Sequence, residues 1–203
     1  MPLSEFISPK YLSIQKALLK NFKSAKPFPH LALDNFFKDE VAKNLFKAVS
    51  KEQFFPKESD LFKMAQTNDF ASSKAAYLHK FRDFLRSKDF IDYMHLITGL
   101  KLKQSIDING SLYQDTDYLL CHDDELEGRK IAFMIYFSDF DKKDGGSLAL
   151  LGSKGKKPTK ISKRIYPKFN TFTFFEVTPV SFHEVEEVNS EKQRITIGGW
   201  FHG

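Results

Sequence analysis

The periodicity of apolar residues changes once along this chain, near residue 100, and that change constrains the fold more than any other feature. Before it, apolar residues recur at helical spacing. DEVAKNLFKAV has an acidic start and an apolar face, and AAYLHKFRDFLRSKDFIDYMHLITGL puts Phe81, Phe84 and Leu85 on one side with Gly99 as its stop. PFPHLALDNFF reads as a short strand after a proline-rich lead. Beyond the change, short runs rich in β-branched and aromatic residues are separated by turn signals: IAFMIYF before DFDKKDGG, SLALL before GSKGKKP, NTFTFFEV before TP, and RITIGGWF. Helical support over about 1–100 followed by a strand-rich core over about 101–203 predicts an α+β fold, with helices buttressing an antiparallel sandwich or barrel. The 203 residues, 22 of them Phe, are enough for one substantial core and too few for two, so residues 1–203 read as one domain.

Cys121 is the only thiol, which excludes an intramolecular disulfide and a thiolate metal site and suggests a reducing compartment; beside His122 it reads as a small buried residue. MPLSEFISPKYLSIQKALLK contains neither a signal-type apolar stretch nor a membrane-length run, so the expectation is a soluble, intracellular protein without membrane contact. The net charge of +5 is mild, but SKGKKPTKISKRIYPK concentrates Lys154, Lys156, Lys157, Lys160, Lys163, Arg164 and Lys168 within residues 153–168. This stretch reads as a solvated loop, or else as a contact surface for acidic partners, ribosomal RNA among them, or a nuclear address. The sequence leaves cytoplasm and nucleus both open.

In LLCHDDELEGR, His122 and Asp124 are two residues apart, and in an extended segment both project to one side while Asp123 points elsewhere. An imidazole and a carboxylate so placed are two of the three ligands of the facial triad that binds non-haem iron(II) and leaves positions open. VSFHEVEEV offers His183 in a β-type context as the third. If Asn189 and Ser190 form a two-residue turn, Arg194 lies opposite Val185 and shares a face with His183. A buried Arg needs an anionic partner, and a dicarboxylate chelating the metal at one end would meet it at the other through a bidentate fork. Singly, His183 fits a core histidine and Arg194 fits an ion pair with Glu184 or Glu186. Together, in the order His-x-Asp, His, Arg, they favour the metal site. Tyr113 and Tyr136 fall on strands flanking His122, where their hydroxyls could bond a carboxylate, and Asp144, Gly145 and Gly146 read as a turn.

CHDDELEGRKIAFMIYF, DGGSLAL, FFEVTPVSFHEVEEV and RITIGGWFHG together resemble the catalytic domain of the ribosomal-protein prolyl hydroxylases, and the likeness extends more loosely to PFPHLALDNFF. The resemblance implies a double-stranded β-helix (jelly roll) with His122, Asp124 and His183 as iron(II) ligands. It implies Arg194, with Tyr113 and Tyr136 as helpers, on the distal carboxylate of the co-substrate 2-oxoglutarate. Oxygen is the oxidant, ascorbate the expected reductant, and succinate and carbon dioxide the products. The implied substrate is a proline of the small-subunit ribosomal protein of the decoding centre, hydroxylated at the 3-position of the ring and a second time in some members. Members of the family carry a second domain of similar fold after the segment matching GWFHG, where this sequence ends. Rival readings are the same chemistry on another protein or on nucleic acid, and a non-catalytic module that binds a ribosome or RNA.

Overall fold

Apolar spacing of three and four residues builds the helices of the first hundred residues in the computed structural model, which describes residues 1–203. They are α1 (Leu3–Phe6), α2 (Pro9–Leu12), α3 (Gln15–Ser24), α4 (Asp39–Val49), α5 (Ala76–Arg86) and α6 (Lys88–Thr98). The long apolar stretch expected around Phe81 is two helices, because Ser87 leaves helical geometry and its hydroxyl accepts from the Phe90 amide to cap α6. Gly99 stops α6 at φ 79°, the left-handed conformation that glycine adopts without strain. Phe81, Phe84 and Leu85 are fully buried, and the Phe84 ring stacks on Phe6 with centroids 3.9 Å apart. None of these helices is long and apolar enough to cross a membrane.

Three strands interrupt this half: β1 (His30–Asp34), expected from the sequence, and the hairpin β2 (Phe55–Ser59) and β3 (Phe62–Gln66), which is not. Every residue of the hairpin is at least partly exposed, so no apolar alternation marks it. Then follow β4 (Ile106–Tyr113), β5 (Tyr118–His122), β6 (Arg129–Tyr136), β7 (Leu148–Lys154), β8 (Lys157–Ile165), β9 (Thr171–Glu176), β10 (His183–Val185) and β11 (Arg194–His202). Their pairing order is β1-β9-β6-β11-β4-β3-β5-β10-β7-β8. Most consecutive strands from β4 to β11 therefore alternate between a layer of β9, β6, β11 and β4 and a layer of β5, β10, β7 and β8. Two four-stranded antiparallel layers wound in this way are a double-stranded β-helix.

Residue alternation assigns the two faces of the first layer. Ile131, Phe133, Ile135, Phe172, Phe174, Ile195, Ile197 and Phe201 join the helices in the main core. Their neighbours Ala132, Tyr136 and Phe175 face the second layer and pack with Leu148, Leu150 and Ile165. At the seam between β4 and β5 the two layers are bridged by β3, which pairs with both. At the opposite seam the edge strands β1 and β8 are linked by side chains: Lys163 Nζ donates to His30 Nε2 at 2.9 Å. The basic stretch, read as a loop on one expectation, is mostly β8. It is exposed on both faces along nearly its whole length and so shows no apolar period.

Candidate metal centre

His122 is the last residue of β5 and pairs directly with His183 of β10, so the two imidazoles lie side by side with ring centroids 4.2 Å apart. Asp124 does not continue the strand as the sequence reading supposed. Its φ of 62° turns the chain back, a conformation aspartate tolerates better than most residues, and the carboxylate swings between the two rings. Asp124 Oδ1 lies 3.4 Å from His122 Nε2, Oδ2 lies 3.4 Å from His183 Nε2, and the three ligand atoms fall within 4.8 Å of one another. Metal–ligand bonds of about 2.0–2.2 Å need neighbouring donor atoms at roughly these separations.

The tautomers are set from behind. His122 Nδ1 donates to the Leu120 carbonyl at 2.8 Å and His183 Nδ1 to the Ser181 carbonyl at 2.9 Å, which leaves both Nε2 lone pairs aimed at the space beside Asp124. Burial pushes the Asp124 carboxyl up, but the two histidines outweigh it and hold the group well below the usual carboxylate range. Burial, the largest single influence, pulls His122 down, but the hydrogen bond and charge of Asp124 together with the Leu120 carbonyl and the Asp123 charge more than reverse it, raising the group above the ordinary histidine value. A carboxylate that attracts positive charge, flanked by two presented lone pairs, is a donor set suited to a divalent cation, and its N,N,O composition suits iron(II).

Arg194 is buried, with 2% of its surface exposed. Its Nε donates to the Gly146 carbonyl at 2.8 Å, and its guanidinium carbon lies 5.0 Å from the Tyr113 ring centre and 5.2 Å from that of Tyr136. The Nη2 of Arg194, the Tyr136 hydroxyl and the Thr173 hydroxyl are buried without hydrogen-bond partners. Burial pushes the Tyr113 phenol up to about 12 and raises Tyr136 as well, so both keep their protons at neutral pH and can donate. Unspent buried donors around a cation call for an anion. Arg194, Tyr113, His122, Asp124 and His183 line one cavity of about 120 Å³, so an anion paired with Arg194 would share that space with the His122, Asp124 and His183 donor atoms.

The hairpin assumed for residues 183–194 does not form. Val185 pairs with Leu119 and Leu148, whereas Arg194 pairs with Tyr113, because β10 and β11 belong to opposite layers. His183 and Arg194 still share the cavity, since the inner faces of the two layers meet there. Asp144, Gly145 and Gly146, read as a turn, instead end a short 3-10 helix (Lys142–Asp144) and start a bridge from Gly145 to Val188, with both glycines at positive φ. Cys121 is partly exposed rather than buried. Sequence reasoning overlooked Asn109, Ser111, Thr196 and Trp200, which also line the cavity. Counting in twos from Tyr113 along β4 and from Arg194 along β11 finds them. It also overlooked Arg129, whose guanidinium stacks 3.5 Å over the Trp200 ring and lies 3.8 Å from Asp124 Oδ1.

Residues 108–202 match the model of the 2OG-Fe(II) oxygenase superfamily, and the chain belongs to that superfamily. It is 40% identical over 181 residues to prolyl 3-hydroxylase OGFOD1 of Xenopus laevis, covering 87% of this chain and 35% of that protein. It is 36% identical over 195 residues to prolyl 3,4-dihydroxylase OGFOD1 of Ostreococcus tauri, covering 87% and 38%. The chain thus spans little more than a third of the length of these curated relatives. The double-stranded β-helix is shared with a Pseudomonas putida prolyl-4-hydroxylase, with TM-score 0.71, 14% identity, and 91% of this chain and 98% of that one covered. A prolyl hydroxylase from Trichoplax adhaerens, solved in complex with a hypoxia inducible factor oxygen degradation domain peptide fragment, gives 0.68 and 14%, with 96% and 93% covered.

Proposed function

We propose that this chain is a peptidyl-proline 3-dioxygenase that uses iron(II) and 2-oxoglutarate and acts on the small-subunit ribosomal protein of the decoding centre. The observation that carries the chemistry is the joint presence, in one cavity, of the His122–Asp124–His183 donor set and a buried Arg194 with an unspent donor. Support for proline comes from relatives named prolyl 3-hydroxylase, and support for the ribosomal target from the resemblance of CHDDELEGRKIAFMIYF and RITIGGWFHG to hydroxylases of that protein. A cytoplasmic or nuclear location agrees with such a target.

His122, Asp124 and His183 would hold the iron(II), and Arg194, with Tyr113 and Tyr136, the far carboxylate of 2-oxoglutarate. Bound there, iron(II) and 2-oxoglutarate supply the oxidation of a prolyl C–H bond by oxygen, with release of succinate and carbon dioxide. The Leu120 and Ser181 carbonyls accept from Nδ1 of the two imidazoles, which orients the rings so that Nε2 of each is the atom that would face the metal. Phe175 packs against the His183 ring at 4.5 Å, so an apolar wall excludes water behind it.

The test follows 2-oxoglutarate turnover under air with iron(II) and ascorbate, together with the mass of a peptide from the decoding-centre protein, with His122→Ala as control. A gain of one oxygen that disappears in the variant is the expected result. Succinate without peptide oxidation would keep the oxygenase and reject the target. Absence of both, with no iron bound, would reject the proposal.

A further inference from the structure

The seven cations of residues 153–168 divide into two groups in the structure. Lys163 donates to His30, Arg164 pairs with Glu186 at 2.9 Å, and Lys168 pairs with Asp34 at 2.9 Å. Lys154, Lys156, Lys157 and Lys160 are exposed and take part in none of the ion pairs of the molecule. They crowd the tip of the β7–β8 hairpin. Lys154 and Lys157 stand directly opposite each other across the two strands, with Lys156 in the turn between them. Like charges facing across a strand pair are destabilising. Guarding a sheet edge against aggregation calls for charge on β8 alone, whereas Lys154 lies on β7 and Lys156 in the turn.

We infer that this hairpin tip is a docking surface for RNA, held by its phosphodiester backbone. A protein partner is normally gripped through a buried apolar or aromatic centre, and none of the large exposed apolar side chains of the molecule lies between residues 152 and 164. Charge without an apolar anchor is the pattern of phosphate neutralisation, in which binding is driven by counterion release. The choice of RNA over duplex DNA rests on the proposed ribosomal target, since such a protein is embedded in RNA. The tip would then anchor the enzyme beside its substrate without entering the catalytic cavity.

The probe is a fluorescent short oligouridylate, with anisotropy followed from low to high salt; this measures binding without turnover and so fails or succeeds independently of the proposed reaction. Each neutralised phosphate contributes about 0.7 to the slope of log affinity against log salt on a single strand, so four lysines predict a slope near 3 in magnitude. Replacing Lys154, Lys156, Lys157 and Lys160 by Gln should weaken binding at least tenfold at low salt and flatten that slope. The same change at Lys16, Lys20, Lys47 and Lys51, exposed lysines on the helical side, alters net charge equally and should leave the slope near its original value. Unbound RNA at low salt, equal losses in the two variants, or tighter binding to polyglutamate or duplex DNA than to the oligouridylate would overturn the inference.

Discussion

His30 shows how one residue can report on a seam. Its Nδ1 donates to the Phe28 carbonyl at 2.8 Å, so Nε2 is the acceptor that receives Lys163 Nζ. A proton on Nε2 would face that ammonium group in a buried site. Burial and the Lys163 charge therefore lower the His30 pKa below its ordinary 6.5, against a raising contribution from the Phe28 carbonyl. As the pH falls through 6.5, the unfolded chain takes up a proton that the native chain does not, so protonation favours unfolding. The stability present above that pH is lost progressively down to the folded pKa. His30→Gln keeps a donor and an acceptor but cannot titrate. Thermal midpoints measured from neutral to mildly acidic pH should fall less steeply for this variant than for the parent, and parallel curves would refute the assignment.

At the scale of elements, β11 is the strand of the first layer that faces both the helices and the cavity. It pairs with β4 and β6, sends Ile195, Ile197 and Phe201 to the helices, and presents Arg194, Thr196 and Trp200 to the cavity. Gly199 permits this double pairing. A Cβ there would lie 1.8 Å from the Asp107 carbonyl oxygen of β4, a backbone atom that can retreat only by opening the ladder. Gly199→Ala should cost roughly 1–3 kcal/mol or more, the range for overpacking a rigid site. Gly155, at the hairpin turn, has open space around its Cβ position and a φ of 61°, so Gly155→Ala should cost only the strain of a left-handed residue, about 1 kcal/mol. Urea denaturation midpoints at constant slope check the order, and a Gly155 variant less stable than the Gly199 variant would contradict it.

For the whole molecule, ligand binding and stability are linked through the layer geometry. His122, Asp124 and His183 belong to the layer of β5 and β10, while Arg194 belongs to the layer of β4 and β11. Under the proposed function, a dicarboxylate reaching from metal to Arg194 would tie the two layers together. A ligand present at a hundredfold excess over its dissociation constant stabilises by about 2.7 kcal/mol, which for a domain of this size raises the thermal midpoint by about 5–10 °C. Manganese(II), a redox-stable substitute for iron(II), should give a shift of that order by itself. 2-Oxoglutarate should add a further shift only when the metal is present, as differential scanning fluorimetry can show. An equal 2-oxoglutarate shift without metal would mean that the co-substrate binds elsewhere.

Local chemistry alone determined much of this protein. The helical period around Phe81, Phe84 and Leu85, the stop at Gly99 and the β-type runs after residue 100 are properties of near neighbours, so they are legible in the chain. The residues that the structure brings together at the candidate metal centre also stand out in the chain, because His-x-Asp, a later His and an Arg are chemically distinctive wherever they fold. How they meet does not. His122 and Asp124 converge through a left-handed turn rather than strand alternation, and His183 and Arg194 through opposed layers rather than a shared hairpin. The β2–β3 hairpin and the strand β8 are wetted on both faces, so no apolar period announces them. Strand pairing depends on partners far away in sequence, and only the tertiary structure decides which strands pair and therefore which side chains share a cavity.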